Sequence, residues 1–148
     1  LDWIHKKYIT AGHPETTIEQ LWELAADEVD NVRRRVAENP SSPVELLHTL
    51  ARDENPEVRM AVAENPNTPG VLLSQLAADE HADVRYSLAE NPNLPEEILQ
   101  KLAEDTNPYV SHRAQRTLRI LNPIAPAHLK PARAGEKDSW RQQRRSAP

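Results

Sequence analysis

The strongest constraint on this chain is a period of 26 residues. Three consecutive blocks align without a gap: VRRRVAENPSSPVELLHTLARDENPE (32–57), VRMAVAENPNTPGVLLSQLAADEHAD (58–83) and VRYSLAENPNLPEEILQKLAEDTNPY (84–109). Eleven of the 26 columns are identical in all three. One period earlier lies a degenerate copy at 6–31, with His13-Pro14 under Asn39-Pro40 and Leu24-Ala25-Ala26-Asp27 under Leu50-Ala51-Arg52-Asp53. One period later, Val110 opens a fifth copy that never reaches an Asn-Pro pair. Such a period belongs to stacked arrays, in which a unit buries its apolar face only against its neighbours.

Each unit reads as two helices. One starts at the second proline, with Ser42, Thr68 and Thr16 in the N-cap position and Pro43 and Pro69 at the first helical residue, where a missing N–H costs nothing. Ser42-x-x-Glu45 and Thr16-x-x-Glu19 match a capping box. This helix sets Leu46, Leu47, Leu50 and Ala51 on one side and is expected to be the longer, ending near Asp53. The other carries Val32, Val36 and Ala37 inward, echoed by Val58, Val62 and Ala63 and by Val84, Leu88 and Ala89. Proline disfavours α geometry in the residue before it, so Asn39, Asn65 and Asn91 end this helix after about two turns, short enough for part to tighten to 3₁₀ geometry. Burying one aliphatic side chain contributes roughly 1.5–3 kcal/mol, while ordering each residue's backbone costs roughly 1–2 kcal/mol. A lone unit does not close that gap; a stack does.

The fold expected is therefore an all-α, right-handed α/3₁₀ helical solenoid of about four repeats over residues 1–121. Residues 1–12 form one cap, with Trp3, Ile4, Tyr8 and Ala11 at near-helical spacing. The other is a longer helix over 108–121, with Val110, Ala114, Leu118 and Leu121 inward. Gly12, in the column of Glu38, Glu64 and Glu90, points to a loosened first unit.

Composition narrows the function classes. There is no cysteine, which removes disulfides, cysteine-held iron–sulfur clusters and cysteine-ligated zinc. No apolar run is long enough for a membrane helix, and no signal-peptide pattern follows Leu1, so a cytoplasmic protein is expected. The six histidines form no i, i+4 pair and no HExxH pattern, and no Gly-rich phosphate loop or GxSxG elbow is present. These observations point to no metal, no cofactor and no enzyme. Charge is uneven: residues 1–121 hold 12 Lys and Arg against 21 Asp and Glu, whereas 122–148 hold six against two. That second segment, with four prolines and little apolar material, reads as a basic, disordered tail.

The pattern VRxxVAENPxxPxxLLxxLAxDE, carried by Val32-Arg33, Ala37-Glu38-Asn39-Pro40, Pro43, Leu47, Leu50-Ala51 and Asp53, resembles the variant leucine-rich repeat family. This is a bacterial relative of HEAT-like arrays in which α-helices alternate with short 3₁₀ helices. The family's founding type holds an iron–sulfur cluster through cysteines ahead of its repeats, a property this cysteine-free chain does not inherit. The resemblance implies a scaffold and no catalytic activity.

In a stack each column becomes a row. Arg33, Arg59 and Arg85 are expected to pair with Asp27, Asp53 or Asp79 or to bond helix-end carbonyls; the alternative is a ladder for nucleic-acid phosphates, joined by Arg141, Arg144 and Arg145 of the tail. Asn39, Asn65 and Asn91 are expected to stabilise turns. Packing holds such rows constant. The row that varies is Arg34, Met60, Tyr86 and His112, with Arg35, Ala61, Ser87 and Arg113 beside it. Arg, Met and Tyr are enriched at protein interfaces, so this row is the candidate surface for a protein partner whose identity the sequence does not give. A second variable row, Trp22, His48, Ser74 and Gln100, lies on the other helix, with Trp22 expected to pack within the terminal unit.

Overall fold

The computed structural model describes residues 2–123. They form nine α-helices and no strand: α1 (Asp2–Gly12), α2 (Ile18–Ala25), α3 (Asp30–Glu38), α4 (Val44–Leu50), α5 (Pro56–Glu64), α6 (Gly70–Leu76), α7 (Ala82–Glu90), α8 (Glu96–Leu102) and α9 (Pro108–Leu121). Helices pack against sequence neighbours and against the equivalent helix one repeat away, as in a helical repeat solenoid. Contacts between repeats run mainly through the odd-numbered helices, α1 on α3, α3 on α5 and α5 on α7. The compact unit spans Leu1–Leu118; a second unit begins at Arg119.

The core follows the repeat columns. Val32, Val58, Val84 and Val110 are buried, as are Val36, Val62 and Leu88 a turn later and Leu50, Leu76 and Leu102 on the even-numbered helices. The even-numbered helices are the shorter, seven residues in α4 against nine in α3, the reverse of the expectation. Both are α-helical, and tighter i→i+3 bonds appear only at helix ends and turns, such as Asn39 N–H to the Val36 carbonyl. The reason lies at the prolines. Pro43 and Pro69 have extended backbone angles and cap α4 and α6 from outside, so those helices start one residue late.

The hydroxyls before these prolines do not cap either. Ser42 and Thr68 are buried and donate back to the carbonyls of Val36 and Val62, six residues earlier, closing the turn on the preceding helix. Thr16 does the same to Thr10. The capping box at α2 belongs to Thr17 and Gln20 instead of Thr16 and Glu19.

At the start of the chain, α1 stands in the place of an odd-numbered helix and packs on α3 and α2. Ala11 is buried, while Trp3 is 57% exposed with the Lys7 ammonium 4.6 Å from its ring centre. The Arg35 guanidinium lies over Gly12, in the space that a Cβ at this position would take. Arg35 also faces the Tyr8 ring and pairs with Glu38 at 2.9 Å. In α9, Val110 and Ala114 are buried as expected, but Leu121 is 41% exposed. Trp22, expected to pack within its unit, is also 41% exposed.

Candidate functional site: two adjacent rows on the odd-numbered helices

Two polar ladders hold consecutive repeats together. The first stands at the start of α3, α5 and α7. Arg33 donates through Nε and Nη2 to both oxygens of Asp53, at 2.7 and 3.0 Å, and through Nη1 to the carbonyls of Asp27 and Glu28. Arg59 repeats this with Asp79 and the carbonyls of Asp53 and Glu54; Arg85 does so with Asp105 and the carbonyls of Asp79 and Glu80. Each guanidinium thus clamps the loop before its own helix to the loop one repeat on. Pairing with acids and bonding to carbonyls, posed as alternatives within one reading, are both present.

Each aspartate also accepts a backbone N–H that turns the chain into the next helix, Asn55 for Asp53 and Asn107 for Asp105. Burial pushes the Asp53 carboxyl up, but the Arg33 hydrogen bonds, the Asn55 N–H and the charges of Arg33 and Arg59 outweigh it and hold it below the usual range. The Arg85 hydrogen bonds do the same for Asp105 against its burial. Sequence reasoning missed the first rung: Lys7 donates to Asp27 at 2.6 Å. The signal was present, because Lys7 lies one period before Arg33 in the degenerate copy.

The second ladder stands at the other end of the same helices. Asn39 Nδ2 donates to the carbonyls of Ala11 and His13 in the preceding repeat, and Asn65 Nδ2 to those of Ala37 and Asn39, at 2.7–3.0 Å. Their Oδ1 atoms accept from Ser41 and Asn67 N–H, which tightens the turn. The turns stack further through Ser41 on the Pro14 carbonyl and Asn67 on that of Pro40. Asn91 keeps the turn bond, to Asn93 N–H. In the fifth copy, Thr117 stands in the asparagine column and donates to the Ala89 carbonyl at 2.6 Å.

The variable row lies one residue past the arginines. Arg34, Met60 and Tyr86 are half-buried, the last two with one side on the core, and His112 is exposed. The row begins a repeat earlier than expected, at half-buried Tyr8. Arg34 and Met60 line a groove of about 610 Å³ between α3, α5 and the start of α7. Pro56, Met60 and Ala61 give its apolar side; Glu38, Glu57, Glu64 and Asp83 are its acids. Tyr86 and His112 lie outside it. Arg34 also borders a second groove of about 450 Å³ with Ile4, Tyr8 and Val29.

Arg34 reaches Glu38 and Glu57, each at 3.5 Å, and Arg113 reaches Glu90 at 3.5 Å. Glu64 makes no ion pair among the described residues. Burial raises its carboxyl above the ordinary value, Glu38 and Glu90 in the flanking repeats add to the rise, and Arg34 opposes it. Among the described residues no group of His, Asp and Glu is arranged to hold a metal ion, and no helix is long and apolar enough to cross a membrane. The tail residues Arg141, Arg144 and Arg145 lie outside the described residues.

Stacked helix pairs, tied by buried ladders, define the class: a helical repeat scaffold. The sequence pattern of the Leucine Rich Repeat Variant domain matches residues 5–65 and again 32–85, together more than half the chain. The chain belongs to the Leucine Rich Repeat Variant family. No curated protein and no solved structure matches it.

Proposed function

We propose that this repeat stack is a non-catalytic scaffold that binds a protein partner along Arg34, Met60, Tyr86 and His112, the row opening at Tyr8. The observation that carries this reading is the contrast along one helix face. The arginine of each full repeat is engaged with its aspartate and two carbonyls, while the next residue changes type from repeat to repeat and, at Arg34 and Met60, borders a groove.

Phosphate binding by Arg33, Arg59 and Arg85 is the weaker reading. Five donors per guanidinium are available, and the Nε, Nη1 and Nη2 atoms of each already face oxygen acceptors in a nearly buried site. A phosphate would have to displace a carboxylate that also starts the next helix.

Panning a random peptide library on phage against the full chain tests the proposal. Peptides that bind are expected to lose at least about tenfold in affinity on Tyr86→Ala or Met60→Ala, the size of effect an interface hot spot shows. Binders that tolerate both substitutions overturn it.

A further inference from the structure

The groove beside Met60 is unbalanced in charge. Its lining includes four carboxylates, Glu38, Glu57, Glu64 and Asp83, against one guanidinium, Arg34. That guanidinium stands between Glu38 and Glu57 and so answers the first half of the groove. On the other half, His81 Nδ1 accepts the Asp83 N–H at the start of α7, 3.6 Å from the Asp83 carboxylate, and no lysine or arginine lines that part of the groove. Glu64 sits between Glu38 and Glu90 in one column of the stack. Between these acids the groove has an apolar side, Met60, Ala61 and Pro56, with Met60 packed on the core and held in place.

An apolar strip ending in unanswered carboxylates fits a long side chain with a hydrocarbon stem and a cationic head. We propose that this groove receives a lysine- or arginine-bearing segment of a partner protein, its stem along Met60 and its cation beside Glu64. The inference rests on the reading that the variable row is a binding face. A neutral or acidic segment would bury Glu64 further without answering its charge, and the cost of burying an unpaired carboxylate selects against it.

Fluorescence anisotropy with a labelled peptide of alternating arginine and alanine, and with its glutamate–alanine counterpart, tests the proposal on the full chain. The basic peptide is expected to bind and the acidic one not. Glu64→Gln is expected to weaken the basic peptide about fivefold or more, and Met60→Ala to weaken it as well, while Glu97→Gln on α8, the same charge change away from the groove, leaves it unaltered. Equal losses from Glu64→Gln and Glu97→Gln would reduce the effect to diffuse attraction by an acidic protein and overturn the inference, as would no binding of the basic peptide. Library binders that depend on Tyr86 or Met60, carry no excess of lysine and arginine and ignore Glu64→Gln would sink this inference while leaving the binding face intact.

Discussion

Arg59 and Met60 are adjacent on α5, roughly 100° apart around the helix, and the chain treats them oppositely. Arg59 is 7% exposed, forms two bonds to Asp79 and two to backbone carbonyls, and recurs as arginine in both neighbouring repeats. Met60 packs one side on the core, turns the other to a groove, and is replaced by arginine and tyrosine one repeat away on either side. The difference shows what a repeat holds fixed. A side chain that closes an interface between units has its partner repeated with it, and changing one member leaves the other stranded. A side chain that faces outward from the same helix has no such partner and is free to differ.

The largest effect that tests this contrast is the loss of a rung. Arg59→Ala leaves the Asp79 carboxylate, with a side chain 9% exposed, and the carbonyls of Asp53 and Glu54 without their donor. Removing one member of a buried ion pair costs about 3–5 kcal/mol, and a loss of that size is expected in urea melts followed by circular dichroism. Met60→Ala, which removes a half-buried side chain, is expected to cost about 1–2 kcal/mol in the same melts. Equal losses would erase the distinction between the two rows.

The asparagine ladder sharpens the comparison because its copies are unequal. Asn65→Ala withdraws two donors from the carbonyls of Ala37 and Asn39 as well as the turn bond to Asn67. An expected loss of about 2–4 kcal/mol follows from stranding buried carbonyls. Asn91 contributes only the turn bond to Asn93, so Asn91→Ala is expected to cost about 1 kcal/mol. A loss at Asn91 matching that at Asn65 would show that the turn, not the bond between repeats, sets the asparagine row.

Much of this was legible in the sequence, for a physical reason: a contact between repeats must recur at the repeat's own period. The 26-residue spacing exposed the core columns and an arginine row with acids in every unit, but not that each arginine reaches the aspartate 20 residues on, with Asp105 as the last partner. Where residue type changes, identity no longer marks the column. Lys7 replaces the arginine and Thr117 the asparagine, yet each makes the corresponding bond, so counting positions would have found them where matching letters did not. The lengths of the helices and the roles of Ser42 and Thr68 were misread because a hydroxyl before a proline suits a cap and a turn equally. Only the path of the chain decides, and it brings each hydroxyl back to the preceding helix. The variable row was visible as variation, but the groove beside it was not, since Glu57, His81 and Asp83 enter it from neighbouring helix starts.

The smallest effect separates the rows by their acids. Asp27, Asp53 and Asp105 are held below the ordinary value of 3.8, so the stability they contribute is complete above that value and is lost as pH falls through their depressed values. Glu64 is held above its ordinary value of 4.5, so its charge opposes folding at neutral pH, and the folded protein takes up that proton before the unfolded chain does. On acidification the Glu64 contribution therefore rises through the window between its raised value and 4.5, before the ladder begins to fail. Because Glu64 is exposed enough for water to screen most of the effect, Glu64→Gln is expected to stabilise the chain by only about 0.5 kcal/mol at pH 7. That gain should shrink toward zero as pH falls to 4.5, while the acid unfolding set by the aspartates stays where it was. Melting curves of both proteins across this range decide it: a gain that persists below 4.5 would mean the glutamine acts through something other than the removed charge.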